Sequence, residues 1–220
     1  PDESFVLSGS GIGSGALPVT QATTMTISGD VSLTETGAEI TVSNSSSLTL
    51  AGTFDATAGP ATLEVETGSA LLISDARIGS GGLVKNETGT AVFSTTFDFQ
   101  GPIDIREGSI DLTGSGSIGN VVRLASLSTL GVSPSVAFDA ASQLTGDGTV
   151  VGDLTMPGTI APGDSGIGSL EFIDSLALAD TSTLLIELGG VAPGEFDALQ
   201  VGGSAVLDGM LTVELTDLGG

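Results

Sequence analysis

The stretch Phe97-Asp98-Phe99-Gln100-Gly101-Pro102-Ile103-Asp104-Ile105-Arg106-Glu107-Gly108-Ser109-Ile110-Asp111-Leu112 carries three apolar-polar-apolar triplets separated by turn-forming residues. Side chains alternate faces along a β-strand, so each triplet sends two apolar groups to one side and one polar group to the other. Gly, Pro and Ser between the triplets supply the turns. The same cadence runs outward in both directions. Upstream it appears as Met25-Thr26-Ile27, Val31-Ser32-Leu33, Ile40-Thr41-Val42, Leu48-Thr49-Leu50 and Leu63-Glu64-Val65. Downstream it appears as Leu154-Thr155-Met156, Leu170-Glu171-Phe172, Leu176-Ala177-Leu178 and Leu211-Thr212-Val213-Glu214-Leu215. Apolar positions spaced three and four apart do not persist anywhere, which argues against helices.

Triplets begin every 6–9 residues or so across most of the chain, too short a period for the strands of a sandwich, which run about 5–6 residues with turns every 8–12. Three short sides make a coil of about 20–24 residues, within the range of solenoid repeats. The expectation is an all-β chain, a right-handed parallel β-helix of about eight short coils, with a β-sandwich as the minor alternative. At about 4.8 Å per coil the rod would be about 40 Å long.

Composition agrees with an aliphatic stack. Of 220 residues, 40% are hydrophobic, with eight Phe and no Trp or Tyr; mean hydropathy is +0.41. That much apolar content separates the chain from acidic disordered sequences. The charge is lopsided: 4 Lys+Arg against 27 Asp+Glu, a formal net charge of −23. Phosphate neutralisation needs basic residues, so nucleic acid is not an expected partner. Without His or Cys, a Ser-His-Asp triad, a Cys nucleophile and a His- or Cys-liganded zinc site are all excluded. No apolar run reaches the length that spans a bilayer as a helix, and no signal peptide is visible. Pro1 at the start and Leu218-Gly219-Gly220 straight after a strand-like segment read as the edges of a piece of a longer polypeptide.

Residues 1–20, with Ser8-Gly9-Ser10-Gly11-Ile12-Gly13-Ser14-Gly15, read as a Gly/Ser-rich lead-in or an irregular first turn. Residues 21–220 read as a single β-solenoid domain, with Gly189-Gly190-Val191-Ala192-Pro193-Gly194 as a longer loop leaving the rod.

The stretch Leu144-Thr145-Gly146-Asp147-Gly148-Thr149-Val150-Val151-Gly152-Asp153-Leu154, followed by Gly158-Thr159-Ile160-Ala161-Pro162-Gly163-Asp164-Ser165-Gly166-Ile167-Gly168-Ser169-Leu170, resembles the repeats of bacterial autotransporter passenger domains and of other large secreted surface proteins. The resemblance is good over residues 144–215 and rests on periodicity alone over residues 24–140. It implies a β-helix on or outside the cell surface, in which the glycines and Pro162 turn corners and no catalytic residue is carried over.

The carboxylates are the chain's most plentiful reactive groups. Asp98, Asp104, Asp111 and Glu171 fall on strand exteriors, and their basic partners can only be Arg77, Lys85, Arg106 and Arg123. Paired carboxylates serve polysaccharide cleavage, but a scattered surface acid beside a lone Arg reads more simply as charge balance, so neither catalytic nor cofactor-binding residues are expected. Asp147, Asp153 and Asp164 lie in Gly-rich turns that offer carboxylate and carbonyl oxygens, and are the candidate weak calcium ligands; the calcium-binding nonapeptide repeat is missing. Asn44-Ser45-Ser46 and Asn86-Glu87-Thr88 match the N-glycosylation triplet.

A solenoid without caps exposes strand edges at its ends. The functional expectation is therefore an extracellular or cell-surface structural protein, not an enzyme, that self-associates end to end into a filament or sheath and is adhesive toward glycans or other cells. The alternative is a glycan-binding or polysaccharide-processing β-helix.

Overall fold

The structure is a computed structural model that describes residues 5–7, 16–34, 38–164 and 166–216. The Gly/Ser run Ser8–Gly15 lies outside these residues. Those described are strands and turns without a helix, and every ladder between the named strands is parallel. The chain coils into a β-solenoid with two large sheets, of thirteen and ten strands, and a third of three strands near the C-terminal end. Seven turns separate Ala38–Val42 from Thr183–Leu188 in the ten-stranded sheet, and one further rung lies beyond each, Ala16–Val19 and Met210–Leu215. That is close to the expected eight coils.

Within the first half, Ser47–Ala56, Ala70–Ile78 and Thr90–Phe99 are long strands that bend at a register break, as between Leu50 and Thr53. Further along the rod the equivalent segments separate into two strands, Gly108–Leu112 and Ser115–Ile118 on the next coil. The coil length varies more than the sequence suggested. Gln143 stacks on Thr159, 16 residues away, and Thr183 on Met210, 27 away. The longest excursion contains Gly189–Gly194 and closes on itself through the antiparallel bridge of Leu188 with Phe196, as expected of a loop leaving the rod.

Alternation does the sorting. In Ala61–Val65 the residues Ala61, Leu63 and Val65 are buried while Thr62 and Glu64 face outward. Register then stacks like on like: Leu48, Leu71, Ala91, Ile110, Leu130 and Val150 form one inward column across six coils. Phe93, Phe97 and Phe99 thicken the middle of the core, with Phe99 edge-on to Phe93 at 5.0 Å and stacked on Phe97 at 4.9 Å. Each buried aliphatic side chain contributes about 1.5–3 kcal/mol relative to exposure.

Three glycines of residues 144–170 adopt backbone conformations that other residues disfavour. Gly146 (φ 113°), Gly152 (φ 107°) and Gly163 (φ 77°) occupy the left-handed or neighbouring region that disfavours a Cβ. Pro162, like Gly146, is the buried last residue of its strand, Thr159–Pro162 beside Gln143–Gly146.

Candidate functional site

On the outside of the rod the acids follow one recurring pattern. A carboxylate at a corner accepts the backbone N–H of a neighbouring coil. Asp30 takes Thr53 N–H at 2.8 Å, Asp147 takes Ser169 N–H at 2.9 Å, Asp153 takes Ser175 N–H at 3.1 Å and Asp174 takes Gly152 N–H at 2.8 Å. Asp197 accepts one such bond from the neighbouring coil and a second from its own. It is 6% exposed, and its two oxygens accept the N–H groups of Gly168 and Glu187, each at 2.8 Å. Charge-assisted bonds of this kind are about twice as strong as neutral ones, so part of the negative charge is a set of stitches between coils.

The three candidate calcium ligands therefore stand apart. Asp147 and Asp153 are engaged in separate stitches, and Asp164 pairs with Arg123 at 2.9 Å. Among the described residues no three acidic side chains converge as a metal ion would require.

The exterior carboxylates are distributed along the rod rather than gathered. Asp104 pairs with Arg106 at 3.0 Å, as the sequence suggested, on the surface where such a pair contributes at most about 1 kcal/mol. Asp98 shares a column with Arg77 and Asp55, so Arg77 stands between two acids on adjacent coils. Glu171 is exposed beside Thr149. Asp111 alone of this group lines an apolar groove, with Thr129, Gly131, Val132 and Val151. Burial pushes its carboxyl above the ordinary aspartate value.

Lys85 is the residue that sequence reasoning misplaced. It occupies an inward position in register with Leu63 and Ile105, and it is fully buried. Its ammonium donates to the carbonyl oxygens of Asn86 at 2.7 Å, Glu87 at 2.6 Å and Glu107 at 3.4 Å. Burial lowers its pKa to about 8, opposed by the nearby carboxylates of Glu64, Glu87 and Glu107. The alternation Leu83-Val84-Lys85 was the available signal, since it places Lys85 on the same side as buried Leu83.

The two glycosylation triplets sit at corners. Asn44 is exposed at φ 56°, and the Asn86 amide donates to Glu64 at 2.6 Å. At the C-terminal end the strand Met210–Leu215 pairs on one edge with Thr183–Leu188 and ends the ten-stranded sheet. Its inward residues Leu211, Val213 and Leu215 are 63%, 47% and 85% exposed. No helix is long and apolar enough to cross a membrane among the described residues.

Comparison of the chain with protein-family models, with curated proteins and with solved structures finds no match.

Proposed function

We propose that this protein is a structural β-solenoid, an extracellular or cell-surface scaffold that associates through its ends into a filament or sheath. It performs no catalysis, and adhesion to glycans or other cells is a role its outer faces would serve. The observation that supports the reading is the parallel stack itself, in which each coil pairs edge to edge with the next along the rod. Leu211, Val213 and Leu215 continue the inward columns of Leu184, Ile186 and Leu188, and among the described residues no strand pairs with the far edge of Met210–Leu215. An apolar face with free backbone donors and acceptors is a template for another rung. A contact between opposite ends of two rods is heterologous and propagates instead of closing. The autotransporter-like repeats over residues 144–215 support the surface location.

Negative-stain microscopy and sedimentation velocity of the purified chain test this. Regular fibres that shorten to single rods in Leu211→Lys/Val213→Lys support the reading. Isolated rods at all concentrations and salt levels would sink it.

A further inference from the structure

The groove on the outer face of the thirteen-stranded sheet follows the solenoid axis across four coils. Asp111 lies at one end and Asp174 at the other, with Thr129, Gly131, Val132 and Val151 between them. Asp111 is in register with Gly131, and Gly131 with Val151. Asp174 lies one coil further on, beside Gly152, whose N–H it accepts. Three rung spacings separate the two backbones, but Asp111 Oδ1 leans toward Gly131 and the Asp174 carboxylate sits on Gly152 N–H, so the carboxylates lie about two rungs, roughly 10 Å, apart. The depression exists because residue 131 lacks a side chain: a Cβ there would stand 2.7 Å from Asp111 Oδ1.

Asp111 differs from the acids that stitch coils together. Desolvation raises its carboxyl, and among the described residues neither a cation nor a donor offsets it. A half-buried carboxylate so placed gains from any cation that reaches it. The chain has little to offer. Arg106 and Arg123 are held by Asp104 and Asp164, Lys85 is buried, and Arg77 stands between Asp55 and Asp98.

We propose that this groove binds an extended basic polypeptide segment from a partner, with one Arg or Lys on Asp111 and a second, four residues along, on Asp174. The reach fits, because residues i and i+4 of an extended strand share a face about 13 Å apart, and their long basic side chains lean inward onto carboxylates about 10 Å apart. The aliphatic stem of a basic side chain lies against Val132, Val151 and the Thr129 methyl while its head reaches the carboxylate. A guanidinium can engage that carboxylate with two parallel hydrogen bonds. The net charge of −23 draws such a segment in. A divalent ion would find no third carboxylate among the described residues, and a sugar would find neither Trp nor Tyr to stack on.

The test is a titration of the labelled protein with the blocked pentapeptide Arg-Val-Thr-Val-Arg at about 150 mM salt, read by amide chemical shifts. Saturable shifts centred on Gly131 and Gly152 are expected. Asp111→Asn should weaken binding at least about tenfold, whereas Asp180→Asn, which removes the same charge at an exposed position, should change it less than about twofold. Gly131→Val fills the groove without altering charge and should also abolish binding. Asp111→Asn removes a desolvated charge, so it keeps the test sound if Gly131→Val folds poorly. Equal weakening by Asp111→Asn and Asp180→Asn would reduce the interaction to the general field and overturn the proposal. So would shifts spread over the whole surface, or equal affinity for spermine or for cellohexaose.

Discussion

Lys85 Nζ donates at 2.6 Å to the carbonyl oxygen of Glu87, inside a corner where Glu87 itself stands at φ 64°. That backbone conformation is costly for a residue with a Cβ, and the ammonium holds it from beneath by gathering three carbonyls. The arrangement has a definite pH signature. The folded pKa, about 8, lies below the ordinary 10.5. Between those values the unfolded chain holds a proton that the folded chain has released, so stability rises with pH across that window. The cost is present in full below about pH 8 and gone above about 10.5. Urea unfolding at pH 7.5, 9 and 10.5 should show wild type gaining on Lys85→Met as pH increases. A difference that stays flat would contradict the buried-cation account. At pH 7.5 the variant should lie within roughly 1–2 kcal/mol of wild type, because lost hydrogen bonds and relieved desolvation oppose each other.

Asp197 tests the stitching role of the acids. Its carboxylate joins the N–H of Gly168 to the N–H of Glu187 in a nearly dry setting. Asp197→Ala leaves both donors without that partner and should cost on the order of 3 kcal/mol. The exposed change Asp180→Asn should stay within about 0.5 kcal/mol. Equal effects in calorimetry would mean that the two amides find water at no cost.

These two residues also mark where sequence reading stops. Triplets such as Leu63-Glu64-Val65 report their own in-out pattern, so strand type and the parallel coil were legible from local alternation. Contacts between coils depend on register, and coil length ranges from 16 to 29 residues. Nothing local says that Gly131 stacks on Asp111, or that Asp197 reaches Gly168. Lys85 failed for a different reason. A lone Lys in an acidic chain reads as surface charge balance, and the inward phase set by Leu83 was outweighed by residue type. The corner positions of Asp147 and Asp153 were legible, but their commitment to amides of the next coil was not.

The aromatic cluster sets where the rod is strongest. Phe99 contacts both Phe93 and Phe97, and Phe99→Ala should cost about 3–5 kcal/mol. In a solenoid each coil is supported mainly by its neighbours, so the loss should be local before it is global. Hydrogen exchange should accelerate first in Ala70–Ile78, Thr90–Phe99 and Ser115–Ile118, while Thr159–Pro162 keeps its protection. Uniform acceleration along the chain would show that the coils unfold as one unit.

Charge and the apolar rung Met210–Leu215 act against each other in association. Copies bearing −23 repel one another, and that repulsion is screened with a Debye length of about 30 Å at 0.01 M salt falling to about 3 Å at 1 M. The apolar contact offered by Leu211, Val213 and Leu215 does not weaken with salt. Sedimentation velocity should therefore show rods growing heavier as sodium chloride rises from about 0.02 to 0.5 M. Magnesium should act at lower concentration than sodium through its higher charge, and chelator should reverse only that part. Mass that falls with salt would mean the association is held by ion pairs, and the end-to-end apolar contact would have to be abandoned.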